Sequence, residues 1–222
     1  MTPMSLSIAE QGRQTKAASA ERLPADVVET FDGFLTELTT KGIPTAAATP
    51  GTQISDVALL DALGGKTSLF DVTGGAPAVL VFYRGTWCPY CNLALRTYDQ
   101  ELLGALTERG VGLIAISPQT PDGSLSMQEK HDLKFPVVSD PGNALAGQLG
   151  ILMSPRPAAL RAAHEKLGLH LEQGNADGTE AVPLATVVIL DTEHTIRWID
   201  VRPDFSARTE VAEVLAAADS VL

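Results

Sequence analysis

Two cysteines stand three positions apart in the stretch Cys88-Pro89-Tyr90-Cys91, and the 222-residue chain has no others. Sulfurs at this spacing can close a small disulfide ring across one turn. One of them can attack a weak S–S or O–O bond while its neighbour closes the disulfide. The attacking species is a thiolate, which forms where positive potential lies close. An apolar run over 78–83, Ala-Val-Leu-Val-Phe-Tyr, leads into the pair, and a helix-like pattern from Asn92 to Glu108 leads out of it. Both sulfurs therefore sit where a buried strand ends and a helix begins. A helix N-terminus offers free N–H groups and a partial positive charge, which lower a thiol pKa. Arg84 brings a full positive charge nearby, and Pro89 suits a first helical position. Trp87 adjoins the pair; it can pack at the strand end and report oxidation by fluorescence.

Other uses of two close cysteines are less suited to this chain. A structural zinc site would need two of His131, His164, His170 and His194, and none stands at metal-finger spacing. These histidines read as surface or core residues rather than catalytic ones. Two inert core thiols are a second alternative, which the strand-to-helix placement opposes.

The surrounding elements read as alternating strand and helix from about Gly51 onward. Buried strands are expected at 78–83 and 111–117, a short strand at 135–140, and two strands at 184–191 and 195–201 joined through Thr192-Glu193-His194 as a hairpin. Helices are expected at 92–108, 124–133, 143–150 and 155–168, with a closing amphipathic helix over 207–222. Residues 172–180 read as a polar loop. Upstream, Val27, Val28, Phe31, Phe34, Leu35 and Leu38 recur at helical spacing, with Asp26 as cap and Gly42 and Pro44 as the stop. This stripe needs a partner, either the same domain or a second subunit. The reading divides the chain into an N-terminal helical extension, 1–48, and an α/β domain, 49–222, with a central mixed sheet flanked by helices.

Composition narrows the function classes. The formal net charge is −11, so the surface repels phosphate backbones and anionic lipid, and neither nucleic acid nor a membrane is expected as a partner. No signal-peptide pattern or membrane-spanning stretch is visible, which makes the cytoplasm the default. In a reducing cytosol a close cysteine pair reads as redox or metal chemistry rather than a structural disulfide.

The stretch Val79–Arg96, "VLVFYRGTWCPYCNLALR", resembles the active-site segment of the alkyl hydroperoxide reductase and thiol-specific antioxidant (AhpC/TSA) family, in its peroxiredoxin-like branch with a CxxC pair. The stretches 112–151 and 185–209 are similar to the same branch. The resemblance implies a thioredoxin-like three-layer fold, a homodimer, and a thiol peroxidase that reduces hydrogen peroxide or alkyl hydroperoxides with no bound cofactor. An external dithiol such as thioredoxin would recycle it. Laying 79–83 on the family's strand without gaps puts Arg84 at a proline position, Cys88 at a threonine and Cys91 at the peroxidatic cysteine. Thr86 has the right side chain in the wrong register. The family's arginine should fall near 183–191, where there is none, and Arg197 matches a different position. On this alignment Cys91 attacks and Cys88 resolves. "TWCPYC" also resembles the thioredoxin W-C-x-x-C, in which the first cysteine attacks, and Pro183 is then the candidate for the cis-proline facing the pair. That second resemblance implies a thiol–disulfide oxidoreductase working through Cys88. A non-catalytic redox-sensing module of the same fold is the third alternative.

Overall fold

The computed structural model describes residues 6–153 and 156–222. Helices α1 (Ile8–Arg22) and α2 (Ala25–Lys41) come first, then two short strands, β1 (Ala58–Leu60) and β2 (Lys66–Ser68), the helix α3 (Leu69–Thr73) and strand β3 (Ala78–Phe82). Helices α4 (Pro89–Thr97) and α5 (Leu103–Glu108) follow, continuous through a π-helical turn at Tyr98–Leu102. Next come β4 (Gly112–Ser117), α6 (Pro121–His131), β5 (Val137–Ser139), α7 (Ala144–Gln148), β6 (Leu152–Met153), α8 (Ala158–Lys166) and α9 (Leu171–Gly174). The chain closes with β7 (Val182–Pro183), β8 (Ala185–Leu190), β9 (Ile196–Arg202) and α10 (Val211–Val221).

Seven strands form one mixed sheet in the order β2-β1-β5-β4-β3-β8-β9, and β6 pairs with β7 in a small separate sheet. Strands β3, β4 and β5 run parallel, while β8 lies antiparallel to both β3 and β9. Every residue of β3 and of β8 is buried, which is why both read as continuous apolar runs rather than alternating ones. The β8–β9 hairpin forms as expected. Asp191 organises its turn by accepting from the N–H groups of Glu193 and Thr195.

Several boundaries differ from the sequence reading. The helix expected from Asn92 begins at Pro89, because the Cys91 and Asn92 N–H groups already reach the Cys88 carbonyl. Pro24, not Asp26, stands before α2; its carbonyl takes the first helical bonds, and the Asp26 carboxylate turns outward to Lys166. Residues 172–174 of the expected polar loop wind into α9. Pro155, at the start of the helix expected from 155, lies outside the described residues, as do Met1–Ser5 of the segment read for targeting signals; the observed α8 begins after Pro157. Among the described residues no helix is long and apolar enough to cross a membrane.

The stretch 45–53 is tied down rather than free. Ala48 donates to the Leu149 carbonyl, and Gly150, at φ +64°, passes so close to Ala46 that a side chain there would strike the Ala46 backbone oxygen. The apolar stripe of α2 finds its partner within the chain. Val27 and Phe34 are buried, and Phe31, Leu35 and Leu38 pack against the same hydrophobic core that holds the sheet. Helix α1 packs on α4 and α2 on α8, so both N-terminal helices lie over the side of the molecule that carries the cysteines.

Candidate active site

Strand β3 delivers the chain to the site. Beyond Phe82 the pairing continues one residue, Tyr83 N–H to the Ile116 carbonyl, and the backbone then leaves the sheet through Arg84–Trp87. Gly85, at φ +150°, makes the departure: a side chain there would collide with the Trp87 indole, which folds back over it. Cys88 then caps α4 and Cys91 is its third residue; both are free thiols and both are buried, 0% and 1% exposed.

Two guanidinium groups meet the sulfurs. Arg84 Nη2 donates to Cys88 Sγ at 3.1 Å, and the Arg84 backbone N–H points at Cys91 Sγ at 3.5 Å. Arg208 Nη2 lies 3.1 Å from Cys91 Sγ and 3.7 Å from Cys88 Sγ. Each arginine is itself fixed. The Arg84 guanidinium sits over the Trp87 and Phe205 rings, 4.9 Å and 4.5 Å from their centroids. Arg208 Nη1 donates to the Phe205 and Ala207 carbonyls at 2.7 Å and 2.6 Å. The next residue, Thr209, gives its carbonyl to the Tyr98 hydroxyl at 2.6 Å, which anchors the β9–α10 connection to the helix that follows the cysteines.

This environment separates the two thiols. Burial pushes the Cys88 thiol up, but the Cys91 proton shared with it and the charges of Arg84 and Arg208 outweigh burial and hold it well below the ordinary thiol value. Burial also pushes Cys91 up, and there the hydrogen bond to Cys88 and the Cys88 charge add to it, so Cys91 lies well above. The two sulfurs titrate as one pair, with Cys88 displaced downward and Cys91 upward. Arg84 thus reaches Cys88 more closely and Arg208 reaches Cys91 more closely.

The structure brings Arg84, Trp87 and Pro89 to the pair. Thr86 lies beside it but faces elsewhere: its N–H donates to Gln119 Oε1 at 2.7 Å and its hydroxyl faces Gln119 Nε2 at 3.4 Å, so it serves the loop rather than a sulfur. Pro183 ends β7, where it pairs with Leu152, and takes no part in the hydrogen bonds around the sulfurs. Arg208 is the residue that sequence reasoning missed. It follows the last strand, 120 positions beyond Cys88, and no local pattern marks it. Arg208 fell inside the closing helix expected over 207–222, whereas α10 begins only at Val211, which leaves Arg208 in the connection that meets the sulfurs. Among the described residues no group of three or more His, Cys, Asp or Glu side chains is arranged to hold a metal ion.

A mixed sheet flanked by helices, with a CxxC pair at the junction of β3 and α4, defines a thioredoxin-like protein with paired thiols. The AhpC/TSA family matches residues 50–199, and the chain belongs to that family. Curated relatives include a thiol-disulfide oxidoreductase of Bacillus thuringiensis, ResA, 30% identical over 47% of this chain and 60% of its own length. A Mycobacterium tuberculosis chain that carries a peroxiredoxin name is 31% identical over 44% of this chain and 60% of its own length. The chain therefore spans about 60% of the length of these relatives. Among solved structures, a peroxiredoxin-like protein from Aquifex aeolicus superposes with a TM-score of 0.61 at 13% identity, covering 79% of this chain and 89% of that one. Arg208 lies beyond the family-matched residues.

Proposed function

We propose that the chain is a thiol peroxidase in which Cys88 attacks and Cys91 resolves. The observation that carries this reading is the Cys88 sulfur held by Arg84 at 3.1 Å, with Arg208 behind it and Cys91, whose thiol is pushed upward, alongside. The Cys88 thiolate attacks the terminal oxygen of a hydroperoxide. An S–O bond forms, the O–O bond breaks, and the departing oxygen leaves with a proton as an alcohol, or as water from hydrogen peroxide. The two guanidiniums supply the charge that a developing oxyanion needs, the role expected of the family's missing threonine and arginine. Cys91 then attacks the Cys88 sulfenic acid, an S–S bond forms, and the sulfenic oxygen leaves as water. Two electrons from an external dithiol of the thioredoxin kind restore both thiols.

One equivalent of peroxide is expected to yield an intramolecular Cys88–Cys91 disulfide, 2 Da lighter than the reduced protein by the two hydrogens lost. Mass spectrometry after alkylation checks it. Two thiols that remain alkylatable after peroxide exclude the reading.

A reactive dithiol recycled by a donor suits a reducing compartment, and the cytoplasm is retained as the site of action. The homodimer implied by the family resemblance is also retained, on that resemblance alone, because the α2 stripe is covered within the chain. Sedimentation equilibrium should give twice the 23.4 kDa chain mass; a monomer at micromolar concentration excludes the dimer.

A further inference from the structure

The connection between β9 and α10, residues 203–210, carries Arg208 to the sulfurs. Its inner shape is local. The Asp204 carboxylate accepts from the Ser206 N–H and hydroxyl at 2.7 Å and 2.6 Å, and from the Ala207 N–H at 3.2 Å. Those bonds fold the turn without tying it to the helix that holds the cysteines. Apart from the Arg208 contacts to the sulfurs, one hydrogen bond among the described residues joins 203–210 to α4 and the π-helical turn after it. In it, Tyr98 Oη donates to the Thr209 carbonyl at 2.6 Å. We propose that Tyr98, acting through Thr209, is the positioning residue for Arg208: it sets how closely that guanidinium meets Cys88 and Cys91. This deepens the peroxidase reading and rests on it for the rate.

Three observations carry it. First, the bond is adjacent to the group it places. Thr209 follows Arg208 directly, and its hydroxyl donates to Asp200 Oδ2 at 2.7 Å, an oxygen that also accepts from Arg202 Nε at 2.6 Å. Thr209 is thus pinned between β9 on one side and Tyr98 on the other. Second, the bond is shielded. Tyr98 is 0% and Thr209 2% exposed, so removing the hydroxyl leaves a buried carbonyl without its donor, and the segment must shift to satisfy it. Burial raises the Tyr98 phenol above its ordinary value, so it stays protonated and donating. Third, the helix changes its winding at this residue. Tyr98 opens the π-helical turn, with the Leu103 N–H returning to the Tyr98 carbonyl. Such turns are rare and occur frequently at functional sites.

Distance decides what Arg208 does. Its Nη2 stands 3.1 Å from Cys91 Sγ and 3.7 Å from Cys88 Sγ. In a buried site the pull of a cation on a thiolate is poorly screened and falls with separation, so a retreat of the segment weakens it at both sulfurs. The other charged or titratable groups felt at the sulfurs are Arg84, Tyr83 and Tyr90. Trp87, in the same loop as Arg84, supports that guanidinium independently of 203–210. Burial raises both tyrosines above their ordinary value, so they stay neutral while the thiols titrate.

The test is a double-mutant cycle of Tyr98→Phe with Arg208→Met in the full-length protein. It follows iodoacetamide alkylation of the reduced thiols against pH, and kcat/KM for hydrogen peroxide at neutral pH. Alone, Tyr98→Phe should raise the pH midpoint of alkylation by about one unit and lower kcat/KM by about tenfold. In the Arg208→Met background it should move the midpoint by less than about 0.3 unit and the rate by less than about twofold. Thr209→Val, which cuts the Asp200 tie of the same residue, is read by the same cycle should Tyr98→Phe fail to fold. Equal effects in both backgrounds, or an unmoved midpoint beside a lowered melting temperature, would make the contact a matter of stability alone and overturn the proposal. A midpoint shift that depends on Arg208, in a protein that reduces no peroxide, supports the positioning role and removes the peroxidase reading instead.

Discussion

Cys88→Ser is expected to lower peroxide consumption by a factor on the order of 10³ or more, while Cys91→Ser keeps the first chemical step. A hydroxyl at position 88 stays protonated at any pH the protein survives, whatever charge surrounds it. Loss of Cys91 is different. Cys88 still has Arg84 at 3.1 Å, so peroxide should convert it to a sulfenic acid that persists because no second sulfur condenses with it. A dimedone-type probe should label Cys91→Ser once per chain at Cys88 and leave Cys88→Ser unlabelled. Labelling of Cys91 in Cys88→Ser, with no label in Cys91→Ser, would restore the assignment that the ungapped strand alignment suggests.

Arg208→Met should slow peroxide reduction at neutral pH by about 100-fold, with the deficit shrinking as pH rises. The sign follows from the charges. Arg208 lowers the Cys88 pKa, so removing its cation raises that pKa and reduces the thiolate fraction at pH 7. Above the new pKa the thiolate returns, and only the lost stabilisation of the departing oxygen remains. Methionine keeps most of the buried side-chain volume, and the Tyr98–Thr209 bond is left to hold the segment in place. A rate–pH profile of unchanged shape, merely scaled down, would mean that Arg208 is structural only. Iodoacetamide alkylation of the reduced protein gives an independent reading of the same pKa.

The parts legible in the sequence were those with local causes. Continuous apolar runs at 78–83, 111–117 and 184–190 announced β3, β4 and β8, and CxxC after the first of them located the sulfurs. What stayed hidden depends on distance. Strands β1 and β2 are three residues each, and the Lys66-Thr67-Ser68 strand has no apolar period to betray it. Helix α1 buries only Ile8 and Gly12, too little for a stripe to be visible. Arg84 sits beside the cysteines in the chain and was found. Arg208 comes to them through the whole β8–β9 hairpin and carries no periodic signature. The proposed order of attack was hidden for the same reason, since it turns on how Arg84 and the sequence-distant Arg208 act on two sulfurs that titrate as a pair.

That shared charge has a consequence for the thermodynamics of turnover. A Cys88–Cys91 disulfide is neutral, so its formation would strip Arg84 and Arg208 of the anion they contact and leave two buried cations without it. The same contacts that stabilise the dithiol therefore penalise the disulfide, which raises the reduction potential of the couple. For a two-electron exchange each tenfold shift in the equilibrium corresponds to about 30 mV. In the proposed cycle the arginines act twice: they sharpen the nucleophile on the way in, and they make the oxidised form a ready electron acceptor for whatever dithiol restores it.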